Sequence, residues 1–429
     1  MRLYILLWVL WIAAFSPLRA AYMLLPMDAE SQSNHLKAYG ITYWVLENGV
    51  EAWWLLNYRG GSFAFRANPI FEKECKTRGV SYEILPDAAF NAILEQIADP
   101  EVNMDAIKLE KAPKIAVYTP PEGFKSQRGD RIQPWDDAVT LVLTYAEIPY
   151  ETVYDDEVLA DKLPQYDWLH LHHEDFTGQF GRFYASYHNY PWYKENVRLL
   201  TELAHKHGYE KVSQLKLAVV KKIREYVIGG GFMFAMCSAT DTYDIALAAD
   251  GVDICAEYYD GDPMDPNAQQ KLNFDNCFAF RDFQLSMNPL EYEFSSIDNS
   301  LRRNIPPDQD YFTLFDFSAK WDPVPTMLTQ CHTRTVKGFM GQTTAFRKQY
   351  IKPNVLILGE TRPLDEARYI HGELGQGFWT FYGGHDPEDY RHYVNDPETD
   401  LSLHPNSPGY RLILNNVLFP AARKKKRKT

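Results

Sequence analysis

The chain has 429 residues, 45% of them hydrophobic and 24% charged, with a formal charge of −13. Its length exceeds one ordinary core and sets an expectation of two or three packed units. So acidic a balance argues against a nucleic-acid partner, which needs a basic face to displace phosphate counterions.

The amino terminus carries Arg2, an unbroken apolar run from Leu3 to Phe15, and then Ser16-Pro17-Leu18-Arg19-Ala20-Ala21. This is the three-part layout of a secretory signal, with cleavage expected after Ala20. The apolar run is shorter than the roughly 18 to 20 residues that span a bilayer, so no stable membrane span is expected after cleavage. The protein is therefore expected to be exported, either periplasmic or secreted. Five cysteines follow, Cys75, Cys237, Cys255, Cys277 and Cys331. In an oxidising compartment an odd count leaves at least one thiol unpaired, and Cys237 is the candidate for it. The other four can pair in more than one way or stay reduced.

A first unit, residues 21–112, opens on the apolar stretch from Tyr22 to Met27. A helical pattern from Asn34 to Leu46, the strand-like VEAWWLLNYRGG, a helix from Phe71 to Thr77, SYEILP and a helix from Asp87 to Ile97 follow. Such alternation predicts a parallel sheet covered by helices. Lys111-Ala112-Pro113 marks a boundary, and the alternation then restarts. KIAVYTPP reads as a strand, Asp136 to Ala146 as a helix, TVYD as a strand, DWLHLHHEDF as a buried strand running out into a polar loop, and Lys211 to Ile228 as a long amphipathic helix ended by three glycines. FMFAM is the next strand, with Cys237 at its end and a helix from Thr240 to Ala249 after it. Residues 261–352 lose the alternation and read as a loop-rich insertion; NVLILGE and GFWTFYGG then return as strands. The expected second domain is thus 113–260 with 353–420, and residues 421–429 form a basic tail.

In open α/β sheets, ligands sit outside the carboxyl ends of the strands. That rule gathers three segments: Cys237, His170-Leu171-His172-His173-Glu174-Asp175, and Gly383-Gly384-His385-Asp386-Pro387-Glu388. A cysteine at a sharp strand-to-helix turn has its sulfur pushed out of the sheet, and backbone N–H groups at the helix start favour the thiolate. Ser238 N–H is positioned to hold an oxyanion. His385 follows two glycines and is the candidate base, with Asp386 or Glu388 to orient its ring. His172, His173 and Glu174 are expected to shape the pocket. No cofactor is required by this reading. The alternative is a bound metal on His170, His172 and Glu174, since imidazole with carboxylate suits Zn²⁺ or Fe²⁺.

With these segments in place, the second unit resembles the class I glutamine amidotransferase-like superfamily, especially its ThuA-like branch. The likeness rests on AMCSA, where amidotransferases carry Gly-x-Cys-x-Gly, and on GQGFWTFYGGHDPEDY. It implies a doubly wound, mostly parallel, flavodoxin-like sheet. It also implies Cys237 as nucleophile and His385 as base, in a hydrolase of an amide or ester; the alternative is a non-catalytic envelope or ligand-binding protein on the same fold. A metal-dependent, carbohydrate-directed enzyme is the third reading, and a small molecule or glycan the expected ligand. Ala235 and Ala239 stand in place of the pattern's glycines, and Glu388 lies one residue beyond its His-x-Glu spacing. Through NHLKAYGITYWVLENGVEAWWLLNYRGGSF and LHPNSPGYRLILNNVLFPAA, the whole chain also looks like exported Bacteroidetes-type proteins commonly labelled asparagine synthetase B. That chemistry requires an amino-terminal cysteine and an SGG-x-DS loop, whereas this chain has Arg2 and no such loop.

Overall fold

The computed structural model describes residues 21–121, 137–322, 326–391, 393 and 396–422. The expected signal and nearly all of the basic tail lie outside them. Among the described residues, no helix is long and apolar enough to cross a membrane. All five cysteines are free thiols.

The first unit contains strands β1 (Ala21–Leu25), β2 (Ala52–Leu56), β3 (Ser62–Arg66), β4 (Glu83–Pro86) and β5 (Asp105–Leu109), in the order β4-β1-β3-β2-β5. Every pairing is antiparallel, which corrects the expectation of a parallel sheet here. The reason is local. NYRGG, read as the end of a strand, is a tight turn with Asn57, Arg59, Gly60 and Gly61 all at positive φ. So short a link joins only antiparallel neighbours, because a parallel crossover needs a dozen or more residues. The helix His35–Glu47 is as expected, and its start is fixed by the Asn34 side chain, which accepts from Lys37 N–H at 2.9 Å.

The second sheet is mixed. Strands β6 (Ile115–Tyr118), β7 (Glu151–Val153), β8 (Trp168–Leu171), β9 (Phe232–Met236) and β15 (Gly377–Tyr382) form a parallel block. β10 (Tyr311–Leu314), β11 (Thr335–Lys337), β12 (Phe346–Arg347), β13 (Leu356–Thr361) and β14 (Glu366–Leu374) add to it antiparallel. The full order is β11-β10-β13-β14-β15-β9-β8-β6-β7, with β12 on β14. The region expected to be a loop-rich insertion therefore contributes three strands to the same sheet. β14, with Arg368 and His371 buried inside it, was hidden from pattern reading by its polar residues.

The layers follow from side-chain alternation along strands. Phe232, Phe234 and Met236 of β9 face a core shared with the first sheet and the helices His35–Glu47, Ala138–Ala146 and Pro408–Leu418. Met233 and Ala235 face the opposite core, under the helices Val212–Ile228 and Ala239–Ala248. The far side of the first sheet is closed by Phe90 and Ile97 of the helix Asp87–Ala98.

Arg411, fully buried, joins the two units. Its guanidinium donates to Tyr39 Oη at 3.1 Å, to the Met27 carbonyl at 3.0 Å and to the Gly60 carbonyl. Beside it His35 and His332 pack with ring centroids 4.4 Å apart. Burial, reinforced by the Arg411 charge, holds His35 down to about 3 and His332 to about 4. In the unfolded chain both titrate near 6.5. Below that pH the unfolded chain takes up protons that the native state refuses, so stability present above pH 6.5 is lost as pH falls toward 4. His371, held to about 3 by burial, acts in the same direction. We expect a lower Tm at pH 5 than at pH 7.5, and a smaller drop in a His35→Gln/His332→Gln variant. An unchanged drop would assign it to other groups.

Candidate active site

Cys237 follows β9 directly and has φ 54, in the left-handed region that costs an L residue about 1–2 kcal/mol. The chain then turns at once into the helix Ala239–Ala248, whose first turn is tied back by Thr240 N–H and Oγ1 donating to the Cys237 carbonyl at 3.1 and 2.7 Å. Ala235 and Ala239, both fully buried, leave room for this elbow where the amidotransferase pattern has glycines. The Cys237 N–H donates to the Gly384 carbonyl at 3.2 Å.

His385 is delivered from the neighbouring strand. β15 lies parallel to β9 with Tyr382 opposite Met236, so both strands end at one level. Gly384, at φ 104, then turns the chain; a Cβ there would lie 2.5 Å from the Phe339 ring. β8 ends on the same edge, and His173 takes φ 53, so that the rings of His172 and His173 stack at 3.6 Å. The His385 ring centroid lies 4.3 Å from that of His173 and 5.0 Å from that of His172. One donor atom each from His172, His173, Cys237 and His385 lie within 4.8 Å of one another. The segments that sequence gathered on one edge thus do meet.

Asp137 was missed. It caps the helix Ala138–Ala146, its Oδ1 accepting from Val139 and Thr140 N–H at 2.8 and 2.9 Å. Its Oδ2 lies 3.2 Å from both His170 Nε2 and His172 Nδ1. Burial opposes its charge, yet the two imidazoles bring the carboxyl well below the usual range. Burial lowers the His170 pKa, with Asp137 acting against it. A caps-pattern reading of Asp-Asp-Ala-Val would have flagged Asp137 as a helix cap, but nothing local pointed to the histidines.

Glu174, expected beside His170 and His172, instead faces Lys216 Nζ at 3.5 Å. Lys216 also meets Asp155 at 3.1 Å and the hydroxyls of Tyr118 and Tyr154 at 2.9 and 3.3 Å, all buried. Asp137 takes the place in the histidine cluster that was expected of Glu174. Glu388, a candidate to orient His385, pairs with His404 Nδ1 at 3.2 Å. Asp386 accepts from Glu388 N–H at 2.9 Å and Thr399 Oγ1 at 2.7 Å, which shapes the loop after His385. Removing the cation from the buried Lys216 cluster leaves Asp155 and Glu174 uncompensated, so Lys216→Met is expected to cost about 3–5 kcal/mol in urea unfolding. A loss below about 1 kcal/mol would contradict this structural role for Glu174.

The covering loop comes from the inserted region. Gly384 N–H donates to the Thr343 carbonyl at 2.8 Å and His385 N–H to the Met340 carbonyl at 2.9 Å. Thr343 Oγ1 donates at 2.9 Å to Asp241, which burial pushes up to about 7. Burial pushes the Cys237 thiol up to about 11, against backbone N–H groups of Gln342, Ser238 and Thr343 that favour the thiolate. The resting sulfur is thus a protonated thiol within a ring of amide donors. Above it opens a cavity of about 440 Å³, lined by His173, Cys237, Ser238 and His385 together with Phe183, Tyr187 and Tyr292. Arg182, also on its wall, is spent on structure: it donates to Gln179 Oε1 at 2.7 Å and to the Glu291 and Ser286 carbonyls at 3.0 and 3.2 Å. The loop closes so tightly that a Cβ on Gly341 would stand 2.7 Å from His385 N. Gly341→Ala is therefore expected to displace the His385 backbone, at about 1–3 kcal/mol, and to change the rate of Cys237 alkylation by a small iodoacetamide-type reagent. Unchanged stability and labelling would show that the loop yields.

Fold and site together define a mixed α/β protein with a thiol–imidazole pocket at the carboxyl edge of its parallel strands. No family model matches the chain, and no curated protein matches it. Among solved structures, two cytoplasmic proteins from Salmonella typhimurium align over 100% of their own length. One is 10% identical over 73% of this chain with a TM-score of 0.32, the other 12% identical over 72% with a TM-score of 0.34. A GH42 β-galactosidase, Gan42B, aligns at 10% identity over 64% of this chain and 28% of its own, with a TM-score of 0.26. Similarity at that level carries no functional argument.

Proposed function

We propose that the protein is a cysteine-dependent hydrolase of a small amide or ester, built on a class I glutamine amidotransferase-like domain. The observation that carries the reading is the left-handed Cys237 at the end of β9, with its sulfur no more than 4.8 Å from a ring nitrogen of His385. The parallel block supports the fold half of the reading: taken in chain order, β7-β6-β8-β9-β15 follows the 2-1-3-4-5 arrangement of flavodoxin-like sheets, whose ligands bind at the carboxyl edge.

In this mechanism His385 accepts the thiol proton as the Cys237 sulfur attacks the substrate carbonyl carbon. A C–S bond forms and the carbonyl electron pair moves to oxygen, where backbone N–H groups around the elbow, Ser238 among them, receive the charge. Collapse expels the amine or alcohol, which leaves with the proton from His385. Water, deprotonated by the same imidazole, then attacks the thioester, releasing the carboxylic acid and restoring the thiol. Because the resting thiol is protonated, proton transfer accompanies attack. The cavity volume suits a small ligand, and Phe183, Tyr187 and Tyr292 offer aromatic faces to an acyl chain or a sugar ring.

The test is hydrolysis of p-nitrophenyl acetate, with the acetyl adduct located by mass spectrometry. We expect the adduct on Cys237, none in Cys237→Ala, and kcat/KM about 10²–10⁴-fold lower in His385→Ala. Full turnover by Cys237→Ala would end this reading.

A further inference from the structure

We propose that His172, His173, Cys237 and His385 form a binding site for a soft divalent cation of the zinc type, and that the bound ion sequesters the Cys237 sulfur. Three imidazoles and one thiolate are a donor set that Zn²⁺ takes in tetrahedral geometry, with bonds of about 2.0–2.3 Å and ligand-to-ligand edges of roughly 3.3–3.7 Å. The four donor atoms already lie within 4.8 Å of one another, and the stacked His172 and His173 rings turn toward a common point to complete the tetrahedron.

A second observation points to the same ligand. His172 is buried, its Nδ1 lies 3.2 Å from Asp137 Oδ2 but outside hydrogen-bond alignment, and among the described residues neither ring nitrogen has a hydrogen-bond partner, so Nε2 is open to an ion. A carboxylate on one ring nitrogen, leaving the other as a lone pair, is how proteins orient a metal-binding histidine. Asp137 is itself held by two helix-start N–H groups and by His170, so the carboxylate beside His172 is in place before any ion arrives. His170 stays outside the tetrad; its Nδ1 lies 3.2 Å from the Phe234 carbonyl. The site also has a route from solvent, since His173, Cys237 and His385 line the cavity.

Binding exchanges the thiol proton for a metal–sulfur bond and releases that proton to solvent. Four protein ligands leave no open position, which is the arrangement of a closed site rather than of a metal that activates water. The ion therefore stores the nucleophile instead of replacing it. Sequestration rests on the hydrolase reading; binding does not.

The full chain is stripped with a chelator and titrated with Co²⁺, following the sulfur-to-cobalt charge-transfer band, and Zn²⁺ is then added in competition. We expect one saturable equivalent and displacement by Zn²⁺. The band should be lost in Cys237→Ser, and Co²⁺ should bind about 10–100-fold more weakly in Asp137→Asn. His173→Asn, which tolerates the left-handed backbone, should also weaken binding while leaving the circular dichroism unchanged. Absence of a stoichiometric band, or a band that survives Cys237→Ser, overturns the site. Ester hydrolysis by the stripped protein should be lost with one equivalent of Zn²⁺ and return with chelator; hydrolysis undiminished with Zn²⁺ bound overturns sequestration. A stripped protein that binds Co²⁺ as expected yet hydrolyses nothing counts against the hydrolase reading and upholds the metal site.

Discussion

The hydrogen bond from Cys237 N–H to the Gly384 carbonyl is the constraint on which the candidate site depends. It extends the parallel pairing of β9 with β15 one step past the strand ends, at the point where Cys237 enters the left-handed region and Gly384 turns the other chain away. A strained backbone persists only where its surroundings over-determine it. Here they do so through two small neighbours, the helix start at Ala239 and the glycine turn opposite. The same link sets the spacing between Cys237 and His385, which are separated by about a third of the chain and share an edge only because their strands are adjacent.

Around that link the site is assembled from three sources. β8 brings the stacked pair His172 and His173, the helix cap Asp137 bonds His170 and stands 3.2 Å from His172 Nδ1, and the loop from Met340 to Thr343 covers the sulfur with amide groups. Burial dominates the electrostatics. It keeps the Cys237 thiol protonated and pushes Asp241 up to about 7, so the pocket floor is less charged than its residue types suggest. Charge that does persist in the interior is paired, as in Lys216 with Asp155 and Glu174, where an isolated ion would cost several kcal/mol.

Much of the second unit was legible. FMFAM, GFWTFY and IAVY are short apolar runs bounded by turns, and each is a buried strand of the parallel block. The first unit misled because apolar pattern identifies a strand without giving its direction. The NYRGG turn, not the alternation of elements, decided that its sheet is antiparallel. β14 escaped notice because Arg368 and His371 interrupt its apolar character, and their burial is affordable only with partners from elsewhere: the Phe339 carbonyl for Arg368 and Thr380 for His371.

What sequence determined by itself was the set of strand ends and the reactive side chains placed on them: Cys237 after FMFAM, His172 and His173 after WLHL, His385 after the paired glycines. These follow from local rules, since periodicity and turn residues act over a few positions. Only the tertiary structure decided which carboxylate joins them. Glu174 and Glu388, near in sequence, turn to Lys216 and His404, while Asp137 arrives from a helix start more than thirty residues before His170. The reason is physical: a buried charge is placed by whichever oppositely charged or hydrogen-bonding group the packed fold brings within reach, and chain proximity has little say in that choice.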